Sequence, residues 1–361
     1  MLYDLFVPLA DQYTFFNLFR YITFRAAYAT VTALVLAFLL GPWVIRKLRD
    51  LKAGQMIRQE GPQAHYAKAG TPTMGGVLII LATVIPTLLW ADLSEPFIQI
   101  VLVATLWMGG LGFLDDYLKV VKRQSKGLIA MQKIVGQVLL GVIIGMWLHL
   151  EPVHGSFTTM TPVPFLKDRF VDFGPLYIPF IILVVIASTN AVNLTDGLDG
   201  LAIGLAAIAA AAFAAFAYVI GRADWSQYLQ ILFVPGGGEL TIYCLALLGA
   251  ALGFLWFIAH PAQVFMGDTG SLALGGAFGT LAVLLKLEFV LIFVGGVFVI
   301  EALSVIIQVA SFKLRGKRVF KMSPIHHHFE LSGWPEEKIV MRFYILGILC
   351  ALVAASTLKI R

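Results

Sequence analysis

The chain has 361 residues, of which 59% are hydrophobic and only 13% charged, with a formal net charge of +5 and a mean hydropathy of +0.87. A soluble domain carries about 25% charged residues, and surface-to-volume scaling leaves no interior large enough for this much apolar side chain. A secreted, cytosolic or disordered protein is therefore excluded. At about 20 residues per spanning helix, the chain is a polytopic membrane protein.

The first stretch, Met1 to Phe19, carries Asp4 and Asp11 but no Lys or Arg. It lacks the basic start of a cleaved signal and is expected to lie along the membrane surface. Ten apolar segments follow, at about 22–45, 74–91, 97–114, 128–150, 176–192, 201–220, 240–258, 272–285, 289–312 and 339–358. They are long, rich in Leu, Ile, Val, Ala and Phe, and bounded by Pro, Gly or charge clusters. A membrane β-barrel needs short alternating segments instead, so the expected fold class is all-α: ten transmembrane helices forming one integral-membrane domain over 1–361. The sixth, Ala-rich segment suits close helix packing. Cys244 and Cys350 lie in apolar runs and offer neither a disulfide framework nor a cysteine metal site.

Orientation follows from Lys and Arg in the short loops. Loops after the first, third and ninth segments hold sixteen of them, against seven on the opposite side with both tails. This bias places loops of about 46–73, 115–127, 193–200, 259–271 and 313–338 in the cytoplasm and both termini outside. The positive charge is then mostly topological, with some left for anionic ligands, and no nucleic acid is needed to explain it.

Along the chain, the chemistry-bearing residues begin in the turn-rich loop Gly61–Gly76, where Lys68 stands at a helix entry. Asp115 and Asp116 close the third segment. Adjacent helical residues point about 100° apart, so one carboxylate could hold a metal while the other meets a substrate. The plain alternative is an interfacial helix end, although two acids are unfavourable at a helix C-terminus unless a cation answers them. Lys119 follows in the next loop, and Lys133 and Gln137 share a face at the start of the fourth segment.

Between the fifth and sixth segments runs Asn193-Leu194-Thr195-Asp196-Gly197-Leu198-Asp199-Gly200. Asp196 and Asp199 would share a face if helical, and the glycines permit close backbone approach to a ligand. Alternatively, Asp199 caps the sixth segment. Asp268, in Met266-Gly267-Asp268-Thr269-Gly270-Ser271, could cap the eighth segment, bind metal, or do both at a helix N-terminus that favours phosphate. Phe265 offers a flat apolar face nearby, or simply packs. In the ninth segment Glu301, Ser304, Gln308 and Ser311 form a polar stripe, facing either a cavity or neighbouring helices. The consecutive His326, His327 and His328 cannot converge on one tetrahedral ion as an i, i+4 pair does; they fit phosphate contacts or a pH-sensitive patch.

Parity puts Asp115, Asp116, Asp196, Asp199, Asp268 and the three histidines on the same, cytoplasmic side. Oxygen-only acidic ligands suit Mg²⁺ or Mn²⁺, and with Lys and His beside them they point to metal-dependent phosphoryl transfer from a nucleotide-activated substrate to a lipid. An ion-coupled transporter is the competing class. Its acids belong at the bilayer midplane within repeats, and no internal repeat is visible here.

The GTPTMGG run ending at Gly76, the Asp115-Asp116 pair, NAVNLTDGLDG ending at Gly200, PAQVFMGD ending at Asp268 and PIHHHFE starting at Pro324 together resemble one family over essentially the whole chain. That family is the phospho-N-acetylmuramoyl-pentapeptide transferases, within the polyprenyl-phosphate N-acetylhexosamine-1-phosphate transferase superfamily. The resemblance implies transfer from UDP-N-acetylmuramoyl-pentapeptide to undecaprenyl phosphate, giving lipid I and UMP. It also implies Mg²⁺, and a ten-span homodimer in the bacterial inner membrane with a cytoplasmic site. By the same carry-over, Asp268 leads the metal ligands, with Asp116 beside it. Asp115, Asp116 and Asp268 are the catalytic set, Asp115 standing nearest the lipid phosphate. Asp196, Gly197, Leu198, Asp199 and Phe265 resemble a nucleoside pocket. Lys68, Thr73, Lys119, Lys133, Asn193 and the histidines resemble phosphate or sugar contacts. Ile258 departs from the family, which usually has Asn there. Within the superfamily, transfer of N-acetylglucosamine-1-phosphate to the same lipid is the nearest alternative.

Overall fold

The computed structural model describes residues 1–51, 70–122, 124, 127–166 and 169–359. Lys68 lies outside them. The amino-terminal stretch forms a short helix α1 (Leu2–Phe6) and two 3₁₀ turns, Pro8–Asp11 and Thr14–Arg20. Aromatic contacts hold it in place: Phe6 stacks on Phe16 at 5.0 Å, and Phe19 stacks on Trp90 at 5.9 Å.

The first half of the bundle comprises α2 (Ile22–Asp50), α3 (Gly76–Trp90), α4 (Pro96–Val120) and α5 (Ala130–Leu150). A two-stranded antiparallel hairpin, β1 (Met160–Pro162) with β2 (Phe170–Asp172), separates these from α6 (Tyr177–Thr195). The chain continues through α7 (Leu201–Ile220), α8 (Ala223–Leu229), α9 (Leu240–Ile258) and α10 (Gly267–Leu284). It ends with α11 (Leu291–Val294), α12 (Gly296–Arg315), α13 (Ile325–Glu330) and α14 (Glu336–Ser356).

All ten apolar segments are helical, the ninth being broken at Gly295 between α11 and α12. Among the described residues, eight helices are long and apolar enough to cross a membrane. The two that fall short are α3, with 15 residues, and α10, whose first turn is polar. Pro42 and Pro86 sit inside α2 and α3, which helices in lipid tolerate because neighbours satisfy the freed carbonyls.

Helix α10 is the hub. It is buried without interruption from Thr269 to Leu284 and packs against α3, α4 and α6. Gly112 of α4 makes the closest approach possible, since a Cβ there would fall on the Asp268 carbonyl. A second group joins α2, α7 and α9. The outward faces remain apolar: Leu39, Trp256, Ile306 and Leu352 are all more than 60% exposed, as lipid contact requires.

Because neighbouring helices alternate in direction, the carboxyl ends of α4, α6, α9 and α12 meet the amino ends of α5, α7, α10 and α14 at one end of the bundle. The other end gathers a different polar set. Arg25 forks onto Glu239 (2.8 and 2.5 Å), while the buried Lys286 ammonium bonds the Thr158 carbonyl and the Tyr177 hydroxyl, which itself donates to Glu288. His154 contacts the Leu284 carbonyl at 2.8 Å. Since only a ring N–H can serve a carbonyl, its Nε2 is protonated; burial and the nearby Lys286 pull its pKa down to about 4.

Candidate functional site

Backbone pairing brings two of the sequence motifs together. The Phe265 N–H donates to Pro72 O, and the N–H groups of Gly75 and Gly76 donate to the carbonyls of Phe265 and Met266, all at 2.8–2.9 Å. Thr73 is thereby buried beside Gly267, and the half-buried Phe265 is held at the entry to α10.

Asp115 and Asp116 do point to different partners. Asp115 is wholly buried; its Oδ2 lies 2.6 Å from both Lys119 and Lys133, and its Oδ1 accepts the Leu128 N–H at 2.6 Å. Asp116 reaches across to α10. Its Oδ2 accepts the N–H (2.9 Å) and hydroxyl (2.7 Å) of Thr269, and its Oδ1 accepts the Asp268 N–H at 3.2 Å. Among the described residues, the Asp268 side chain bonds Lys119, Lys133 and Asn193 rather than the backbone of its own helix. The N-terminus of α10 is satisfied instead from α4, which leaves the Asp268 side chain for the site.

Around that side chain the chemistry converges. Asp268 Oδ2 pairs with Lys119 (2.8 Å) and Lys133 (2.7 Å), and Oδ1 accepts from the Asn193 amide at 2.7 Å. Asn193 also donates to Ser271, and Gln137, beneath Lys133, accepts from Asn190 at 3.1 Å. One oxygen from each of Asp115, Asp116 and Asp268 falls within a 4.8 Å cluster. Lys119 and Lys133 set two positive charges against these three carboxylates. The donor set is hard oxygen, which matches Mg²⁺ or Mn²⁺ and excludes the nitrogen and sulfur preferences of zinc and copper.

The stretch after Thr195, where α6 ends, is a turn and not a continued helix, so Asp196 and Asp199 do not share a helical face. Asp196 points back toward α10. Burial, reinforced by the charges of Asp268, Asp116 and Asp199, raises its pKa to about 8, against a hydrogen bond from Gly267 that favours the ionised form. Asp199 turns the other way. Its Oδ2 accepts the Ala262 N–H and contacts His260 Nδ1, both at 3.1 Å, while its own N–H donates to Glu336 at 2.6 Å. It does not cap α7, which begins after left-handed Gly200 without a side-chain cap. Leu198 is buried between the two acids, and Ile258 is buried at the end of α9.

The three histidines have three different surroundings. His326 is fully buried, its Nδ1 lying 3.1 Å from Glu301. His327 contacts Glu330 at 2.6 Å, and His328 accepts the Lys321 N–H at 3.1 Å. The polar stripe of α12 faces this segment: Ser311 donates to Lys317 O, and the Gln308 amide accepts from Val319 and Phe320 and donates back to Phe320. Sequence reasoning did not foresee Thr269 as the partner of Asp116, nor Glu336 as the partner of Asp199. Two acids opening α14 read as ordinary helix-end chemistry, and nothing local announces a partner more than a hundred residues away.

Residues 98–286 match the family model described as glycosyl transferase family 4. Residues 68–80 match signature 1 of the phospho-N-acetylmuramoyl-pentapeptide-transferases. The chain is 57% identical to proteins of that name from Citrifermentans bemidjiense and from Geobacter sp. strain M21, and 56% identical to one from Pelobacter propionicus, each over the full length of both chains.

Proposed function

The chain belongs to the phospho-N-acetylmuramoyl-pentapeptide-transferase family and is a phosphosugar transferase, and from that premise we propose its reaction in full. It moves phospho-N-acetylmuramoyl-pentapeptide from the UDP-linked form onto undecaprenyl phosphate, giving lipid I and UMP. The observation that carries this reading is the convergence of Asp115, Asp116 and Asp268 with Lys119, Lys133 and Asn193 at one end of the bundle.

In this reading Asp268 and Asp116 hold Mg²⁺, which when bound neutralises charge developing on the pyrophosphate. Lys119, Lys133, Lys68 and Thr73 answer the remaining phosphate charge, with His327 and His328 at the edge. Phe265 stacks on the uracil, and Asp196, Gly197, Leu198 and Asp199 line the nucleoside pocket. Asp115, held by two ammonium groups, stands nearest the lipid phosphate. A phosphate monoester with a second pKa near 6 is largely ionised at neutral pH and needs little help from a base. Its oxygen attacks the β-phosphorus directly, and the pyrophosphate P–O bond breaks to release UMP.

The ten helical segments are ten spans in this reading, with both termini outside. The site opens on the cytoplasmic face of the bacterial inner membrane, and residues 1–361 act as one domain in a homodimer. Purified protein supplied with polyprenyl phosphate and each UDP-sugar in turn tests the reaction. UMP release from UDP-N-acetylmuramoyl-pentapeptide is expected; release from UDP-N-acetylglucosamine alone would replace this substrate assignment. A phosphosugar trapped on the enzyme without lipid acceptor would replace direct attack by a covalent route.

A further inference from the structure

We propose that Glu301 is a positioning residue for the nucleotide-binding turn, acting through His326; this rests on the reading of Asp196–Gly200 as the turn that meets the nucleotide. Glu301 is the one carboxylate of α12, heading the polar stripe that continues through Ser304, Gln308 and Ser311, and both it and His326 are fully buried. A lone carboxylate at such a position is unfavourable and calls for a dedicated partner. His326 Nδ1 stands against it, 3.1 Å from Glu301 Oε2, in contact but not aligned as a hydrogen bond. On the far edge of the ring, Nε2 has no hydrogen-bond partner among the described residues. That edge rests on Gly197, where a Cβ would collide with Nε2 itself. The residue at the centre of the turn is therefore a glycine because the imidazole occupies the space.

The rest of the turn is gripped from elsewhere. The Asp199 N–H donates to Glu336, and Tyr344 donates its hydroxyl to Gly200 O at 2.7 Å. Only its middle, at Gly197, depends on the His326 ring. The Gln308 and Ser311 side chains fix the returning segment 317–320 onto α12, which delivers His326 to Glu301. A carboxylate there draws the Nδ1 edge of the ring toward it and so selects the orientation in which Nε2 faces Gly197. A neutral amide could pair with either face of the ring and would lose that selection while preserving shape.

The test uses the full chain, with UMP as the binding probe, and compares Glu301→Gln, Glu301→Asp and His326→Gln. Under this assignment Glu301→Gln and His326→Gln raise the UMP Kd and the KM for the UDP-linked substrate about tenfold. The polyprenyl phosphate KM stays within about twofold of wild type, and Glu301→Asp recovers part of the nucleotide affinity. Unchanged nucleotide affinity in both substitutions would overturn the proposal. So would an equal loss for both substrates that tracks a fall in melting temperature, the signature of a merely structural tie between α12 and α13. Should Glu301→Gln fail to fold, His326→Gln in native membranes reads the same split from the other partner. Wild-type protein that binds no UMP would remove the functional reading itself, and this proposal with it.

Discussion

Asp116, near the end of α4, caps α10: its Oδ2 accepts both the N–H and the hydroxyl of Thr269, at 2.9 and 2.7 Å. The side chain next to it, Asp115, makes none of these contacts and pairs with two lysines instead. A carboxylate at a helix N-terminus meets the positive end of the helix dipole. Asp116 therefore fixes where Asp268, in the first turn of α10, is presented.

Asp116→Asn is expected to remove a charge-assisted interaction of about 1.5–3 kcal/mol, lowering the melting temperature by several degrees and UMP release by about a hundredfold or more. Thr269→Val, which deletes one donor and leaves the carboxylate, should lower both by less. Thermal unfolding and turnover measured on the same preparations check the pair.

Asp268→Ala should abolish UMP release while the protein still folds, because Asp116 and Thr269 hold the helix start without it. Chelation of divalent ions should do the same to wild type, and added Mg²⁺ should restore it. Retained turnover in Asp268→Ala would remove this residue from the metal site.

Lys133 competes for the carboxylates that a cation would use, lying 2.6 Å from Asp115 and 2.7 Å from Asp268. Replacing Lys133 with Gln should therefore tighten Mn²⁺ binding, measured by the loss of free Mn²⁺ signal, even as turnover falls. Weaker Mn²⁺ binding would show that the ammonium helps to assemble the site rather than shielding it.

Gly112 leaves no room for a side chain where α4 crosses α10. Gly112→Ala should push α4 away from Asp268 and lower activity by about a hundredfold or more, with reduced thermal stability. Gly110, two residues back on the opposite side of α4 with open space around it, should accept Ala with activity near wild type.

The neutral His154 makes stability depend on pH. Its pKa is about 4 in the fold against about 6.5 when unfolded. The unfolded chain therefore takes up the proton first, and stability falls as pH drops below about 6.5 toward 4, by at most about 3 kcal/mol. Melting temperatures between pH 7.5 and 5 should fall in wild type and fall less in His154→Gln.

How much of this could be read beforehand differs from residue to residue. The length and composition of the apolar runs mark out the ten apolar helices, and parity groups Asp115, Asp116, Asp196, Asp199, Asp268 and the three histidines on one side; of these, Asp115, Asp116 and Asp268 meet in one cluster. Asp116 illustrates the limit: its position next to Asp115 predicts a separate direction, but not that Thr269 would take one oxygen twice over. The stripe Glu301–Gln308–Ser311 was legible as a polar face, while its partners were open between a cavity and neighbouring helices. They are the returning segment 317–326. Spacing pairs Asp199 with Asp196, and the turn sends it to His260, Ala262 and Glu336 instead.

The sequence by itself determined that this protein lives in a membrane, that its helices run where they do, and that Asp115, Asp116 and Asp268 belong at the same end. Those properties depend on length, hydropathy and the spacing of neighbouring residues, all of which are local. Which carboxylate holds a helix, which faces two ammonium groups, and which histidine is buried were decided only by the tertiary structure. Lys119 and Lys133 meet Asp268 across 149 and 135 residues. Such partners are brought together by close packing among α4, α5, α6 and α10, where Gly112 lets α4 lie directly against the Asp268 carbonyl.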